Sequence, residues 1–340
     1  MGICGGVSVG ERTLAEFRVS NEAVLDDLLT QTVGVFIAED LVDVSRTAQD
    51  GTRVRASAGT GSFRRLKSLK NALEEASAHL AAVKAAARNP LHSEVRRAAI
   101  ERGSDNRVER IEAAIERIRE IATAQNLSEE QLAAPKGAPR ASTTDPEATV
   151  MKMGDGGFRP AYSVQFATVT DGSGVIVGVE VTTRGSDQGE MAPMLAQVEE
   201  RAGQRPDEHL VDAGFASHDA IEAAAPDTKV YAPLPKLAQP GSRRDGEYSE
   251  ESRAWIERMQ SDEGKQMYKL RGQVAELTNA RAKSRYGLSM LTIRGLVAAT
   301  CCALLVAITA NVERLISLRR ARVAARAHDT PAMVVSASPA

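Results

Sequence analysis

The stretch AYSVQFATVTDGSGVIVGVEVT, residues 161–182, decides the fold. Two apolar runs flank TDGSG, whose glycines suit a tight turn, so the segment predicts two strands joined as a hairpin. Toward the C-terminus, QGEMAPMLAQVEERAG (188–203) has the spacing of an amphipathic helix. EHLVD (208–212) and KVYAPL (229–234) then read as short strands around a helix, HDAIEAAA (218–225). Toward the N-terminus, VDVSRTAQDGTRVR (42–55) reads as a strand from Val44 to Val54, and Gly51 within it marks a bulge or a close approach. Strands alternating with helices after a hairpin predict one mixed α/β sheet flanked by helices.

The rest of the chain is helical in pattern. Residues 11–41 repeat apolar positions at Leu14, Phe17, Val24, Leu25, Leu28 and Leu29. Residues 63–134 hold two charged, Ala-rich helices broken near Asn89 and Pro90, and Ile111, Ile115, Ile118 and Ile121 recur at helical spacing, as in a helical hairpin. This hairpin interrupts the sheet after its first strand, and the Pro-rich linker 134–150 follows it. Residues 250–283 and 290–327 complete the helical pattern.

Bulk composition excludes several classes. Three cysteines (Cys4, Cys301 and Cys302) cannot build a disulfide framework and have no zinc spacing, which fits a reducing, cytoplasmic setting. The five histidines (His79, His92, His209, His218 and His328) are scattered, so local or surface roles are expected. The apolar run 296–312 falls short of the roughly 20 residues a membrane span needs, and a buried core helix is expected there with no membrane partner. The net charge of −2 hides a polarity, because residues 265–326 carry twelve Lys and Arg against two acids, Glu276 and Glu313, a net of +10. Such a region is the footprint of a polyanion partner, or else a solvated helical tail.

Three acids stand out. Asp50 and Asp212 lie on or at the end of strands in apolar surroundings, and Glu276 lies on a helix with Asn279 and Lys283 on its face at i+3 and i+7. Tyr268 and Arg271 are i, i+3 neighbours just before it. Three converging carboxylates can hold two Mg²⁺, and nearby cations can grip phosphates. Taken singly, Asp50 and Asp212 also suit turns beside glycine, and Glu276 also suits a surface acid paired with Lys283. Asp171 suits the hairpin loop, Asp145 a turn or cap before Pro146, and Asp187 a cap for the helix that follows.

The segments RTAQDGTRVRASAG, TDPEATVMK, FRPAYSVQFATV, VIVGVEVT, HLVDAGFAS and MYKLRGQVAELTNARAK resemble, in order, the DDE transposases of bacterial insertion sequences. The resemblance implies an RNase H-like sheet, with Asp50, Asp212 and Glu276 as the catalytic, metal-binding acids. Tyr268, Lys269, Arg271 and Lys283 would contact DNA. It implies two Mg²⁺ (or Mn²⁺), double-stranded DNA of transposon ends and target as partner, a homodimer in the synaptic complex, and a nucleoid-associated place in the bacterial cytoplasm. Domains then follow as 1–43, the remnant of an N-terminally truncated helical region; 44–62 with 140–327, the catalytic domain; 63–139, the inserted hairpin and linker; and 328–340, a disordered tail. The alternatives are an inactive, truncated DNA-binding remnant and a stand-alone RNase H-like nuclease.

Overall fold

The structure, a computed structural model, describes residues 8–86, 94–234 and 248–329. Its sheet is built on β1 (Arg46–Arg55) and β5 (Phe158–Val169), paired antiparallel from Thr47↔Val169 to Arg55↔Ala161. β5 is buried from Pro160 to Val169, the mark of a strand covered on both faces. Along its other edge run β4 (Thr149–Lys152) and β6 (Ile176–Thr182), both antiparallel. The hairpin between β5 and β6 forms as predicted, and the Asp171 carboxylate accepts the N–H groups of Ser173 and Asp43, both at 2.8 Å. On the far side of β1 lie β7 (Glu208–Leu210) and β8 (Lys229–Tyr231), both parallel to it. The result is a six-stranded mixed sheet in which four strands in antiparallel pairs (β4, β6, β5 and β1) are extended by two parallel ones.

Between β1 and β4 the chain makes β2 (Phe63–Arg64), α3 (Leu66–Ala86), α4 (Glu94–Ala124), α5 (Glu129–Ala133) and β3 (Ala141–Ser142), after the N-terminal α1 (Glu11–Ser20) and α2 (Glu22–Ala38). α3 and α4 pack through Leu69, Ala76, Ile111, Ala114, Ile115 and Ile118. The expected break at Asn89 and Pro90 lies outside the described residues.

Alternation along β5 separates two cores. Tyr162, Val164 and Phe166 face α2, α10 (Leu277–Ser284) and α11 (Leu296–Asp329), where Leu25, Leu29, Ala299, Ala303, Leu304 and Ala307 are buried. Ala167 and Val169 face the opposite side with Val33, Phe36 and α6 (Met191–Ala202). By length and apolar composition α11 passes for a membrane span, but one side of it closes this core. Of the tail expected from 328, the helix takes in the first two residues, and 330–340 lie outside the described residues.

Two helical expectations need correction. The run 11–41 is two helices broken at Asn21: α1 buries none of its residues, and α2 turns a single narrow stripe inward. Leu25, Leu29, Val33 and Phe36 are therefore buried, while Leu14, Phe17, Val24 and Leu28 are exposed. The run 250–283 divides into α8 (Glu250–Gln260), α9 (Asp262–Arg271) and α10, because Ser261 caps α9 by accepting the Gly264 N–H at 3.0 Å. After β7 comes α7 (His218–Ala224), capped by Ser217.

The β1–β7 seam carries a buried polar ladder. His209 Nδ1 meets the Thr47 hydroxyl at 2.8 Å, its Nε2 meets Gln49 Oε1 at 3.1 Å, and Gln49 donates to the Glu190 carbonyl at 3.1 Å. Full burial lowers the His209 pKa from 6.5 to about 3. The unfolded chain therefore takes up a proton below its own pKa near 6.5 that the folded chain refuses until about 3. Stability is complete above that window and falls on acidification by up to ~1.4 kcal/mol per pH unit. Urea unfolding at pH 7 and pH 5 should show a smaller acid loss for His209→Gln than for the wild type. Equal losses would remove His209 as the cause.

Candidate active site

Asp50 sits mid-strand on β1, on the face covered by α10, and its backbone pairs with Phe166. β7 ends at Leu210, so Asp212 lies just past a strand end. The parallel register Arg46↔Glu208, Thr47↔His209, Ala48↔Leu210, carried two residues further, sets Asp212 level with Asp50. There the Ala213 N–H bonds Asp212 Oδ1 at 2.8 Å and starts the turn. Asp212 is thus both a turn former and part of the site.

Glu276 arrives through a local irregularity. Residues Gly272–Glu276 form a π-helical turn between α9 and α10. In a regular α-helix, residues five apart lie about 140° around the axis from each other. The wider turn brings Glu276 back over Arg271, and the two meet at 3.3 Å. The alternative pairing of Glu276 with Lys283 is not made, although Glu276, Asn279 and Lys283 do share a stripe. Asn279 uses that placement to donate to Asp50 Oδ2 at 3.0 Å.

Arg271 is the centre of the group. One terminal nitrogen lies 3.1 Å from Asp50 and 3.7 Å from Asp212, and the other holds Glu276. Its side chain is 9% exposed, against 17% for Asp50, 54% for Asp212 and 63% for Glu276. The cluster is therefore anchored inside by Asp50 and opens to solvent at the other two acids. Burial raises the Asp50 pKa, opposed by the Arg271 charge and by hydrogen bonds from Asn279 and Gly51. The three acids converge on the guanidinium rather than on one another, and among the described residues no group of three or more Asp, Glu, His or Cys is arranged to hold a metal ion.

The expected DNA contacts divide. Tyr268 is half-buried, with the Arg271 guanidinium 5.9 Å from its ring centre, while Lys269 is exposed and reaches Gln266 at 3.2 Å. Lys283 is half-buried beside Asp50 and makes no hydrogen bond among the described residues; burial holds its ammonium below the usual value. The basic C-terminal region is partly structural. Arg314 holds the Gly172 carbonyl at 3.0 Å, Arg322 the Glu39 carbonyl at 2.7 Å, Arg319 pairs with Glu39, and Arg285 pairs with Glu313 at 2.9 Å.

Asp187 is misread as a helix cap. α6 starts without a side-chain cap, and Asp187 instead accepts from Arg53 at 3.1 Å and Gln165 at 2.9 Å on the opposite face of β1. This pair is missed at the sequence level; the signal is Arg53 two residues beyond Gly51, on the same face. Asp145 does open a turn, its carbonyl accepting the Ala148 N–H at 3.2 Å, while its buried carboxylate accepts from the Gly295 N–H at 3.2 Å and the Tyr162 hydroxyl at 2.8 Å across the fold.

Residues 242–316 match the family model of the transposase DDE domain, which supports a DDE-type transposase. The matched stretch contains Tyr268, Arg271, Glu276, Asn279 and Lys283, and Asp50 and Asp212 lie outside it. No curated protein and no solved structure matches the chain.

The two glycines beside the acids give a test of this packing. A Cβ on Gly51 would stand 2.9 Å from Asp187 Oδ1 and 2.5 Å from the Gln165 amide, both pinned in the Arg53 network, whereas one on Gly214 would meet Asp187 no closer than 3.5 Å. Gly51→Ala should cost about 1–3 kcal/mol by urea unfolding. Gly214→Ala should be nearly neutral, and similar losses from both would refute the close approach.

Proposed function

We propose that the protein is the catalytic region of an insertion-sequence transposase that cuts double-stranded DNA at element ends and joins the freed 3′-OH to target DNA. The observation that carries the reading is the meeting of three acids from separate elements, Asp50 on β1, Asp212 past β7 and Glu276 after α9, around one cation. The strand arrangement also fits an RNase H-like sheet, since β6, β5, β1, β7 and β8 lie in that spatial order. A transposase working on two element ends would act as a homodimer at the bacterial nucleoid.

By their chemistry the three acids suit a hard divalent cation, since all offer oxygen and they surround a positive charge; to hold one they must turn from Arg271 toward one another. Asp50, Asp212 and Glu276 would hold a pair of Mg²⁺ or Mn²⁺, which supplies activation of the attacking oxygen and charge compensation at the leaving one. The residues around them have separate tasks. Asn279 orients Asp50 through Oδ2, and exposed Asp212 and Glu276 form the side open to DNA. Lys283 and Lys269 offer ammonium groups to the phosphate backbone, and Tyr268 supports the guanidinium of Arg271.

Purified protein should nick DNA carrying the element's terminal repeats only when Mg²⁺ or Mn²⁺ is present. Asp50→Asn, Asp212→Asn and Glu276→Gln should each reduce nicking by more than the roughly 10–100-fold that loss of a supporting residue costs. DNA binding at low salt should survive them. Intact nicking in the Asp212→Asn protein would sink the assignment. Binding with no metal-dependent nicking in the wild type would favour a DNA-binding remnant, and nicking indifferent to terminal repeats a stand-alone nuclease.

A further inference from the structure

Arg271 makes an unusual structural arginine. It meets three carboxylates on three elements, yet its Nε is buried without a hydrogen-bond partner. Buried donors in a permanent ion pair are ordinarily all satisfied, so the seat fits the charge better than it fits the guanidinium. Meanwhile both Asp50 oxygens are engaged: Oδ1 by Arg271 and the Gly51 N–H, at 3.1 and 3.0 Å, and Oδ2 by Asn279. Any other cation bound to Asp50 Oδ1 must take it from Arg271. The same nitrogen that holds Asp50 also faces Asp212, so giving up one releases the other.

We propose that Arg271 is the resident counter-cation of the acid cluster, holding Asp50, Asp212 and Glu276 together and competing with divalent metal for the same oxygens. The proposal rests on the metal-binding role put forward above. It makes Arg271 a positioning residue with two opposed effects. Its charge keeps three carboxylates from repelling one another, and it weakens the first metal ion to bind. Lysine cannot reproduce the first effect in full, since one ammonium lacks the two-pronged reach that spans Asp50 and Glu276.

The test is Mn²⁺ binding to the full chain by titration calorimetry, together with the shift in unfolding temperature on adding Mn²⁺. Arg271→Met should bind Mn²⁺ about tenfold more tightly than the wild type, or about 1.4 kcal/mol, with Arg271→Lys between them. It should also unfold at a lower temperature without metal and gain more from Mn²⁺ than the wild type does. A Met variant that folds only with Mn²⁺ would support the proposal equally. Unchanged or weaker binding by a folded Arg271→Met, alongside loss of binding in Asp212→Asn, would overturn the proposal and leave the acid site standing. A Met variant that Mn²⁺ does not refold would also overturn it. Absence of Mn²⁺ binding from wild type and Arg271→Met alike would overturn both this proposal and the metal-binding role.

Discussion

His209, wholly enclosed, has Thr47 on one ring nitrogen and Gln49 on the other, and so locks β7 against β1 in a single register. The site depends on that register. Pairing Ala48 with Leu210 brings Asp212 level with Asp50, and the strand stops there to let the chain turn. A slip of β7 by one residue would set Asp212 level with Gln49 or Gly51, on the face of the sheet opposite Asp50. Keeping an imidazole neutral in the core is tolerable because both of its nitrogens are bonded.

Electrostatics then give the three acids different characters. Asp50 is held by a strand, an asparagine and an arginine, and burial works against its charge. Asp212 and Glu276 are more than half exposed and depend on Arg271 to face Asp50. On the reverse side of β1, Gln165 and Asp187, the latter held by Arg53, fill the space that Gly51 leaves, so the strand carrying Asp50 is supported from behind. Much of the positive charge of the C-terminal helix is spent on fastening it to α2 and to the β5–β6 loop.

The regular part of this architecture is legible from residues 161–231, because apolar alternation, helical spacing and glycine punctuation are local signals. Asp212 and Glu276 drew notice for the same reason, each being an acid set in a patterned element. What escaped notice is set by contacts between distant residues. The apolar repeat of residues 11–29 overstates the buried face, because α1 packs none of its residues into the core and α2 buries only the Leu25, Leu29, Val33, Phe36 stripe. The π-helical turn leaves no periodic trace in GQVAE, yet it decides that Glu276 meets Arg271 rather than Lys283. The Arg53–Asp187 pair spans 134 positions, and no spacing rule reaches that far.

The central claim is that Asp50, Asp212 and Glu276 form one metal-binding centre. Replacing the metal with Fe²⁺ and generating hydroxyl radicals with ascorbate and peroxide cleaves the backbone only near bound iron. Mass spectrometry of the fragments should then show three clusters of cuts, beside Asp50, Asp212 and the 271–277 turn, and Mg²⁺ in excess should suppress all three together. Cuts gathered away from these three segments, or clusters that Mg²⁺ suppresses independently, would contradict a shared centre.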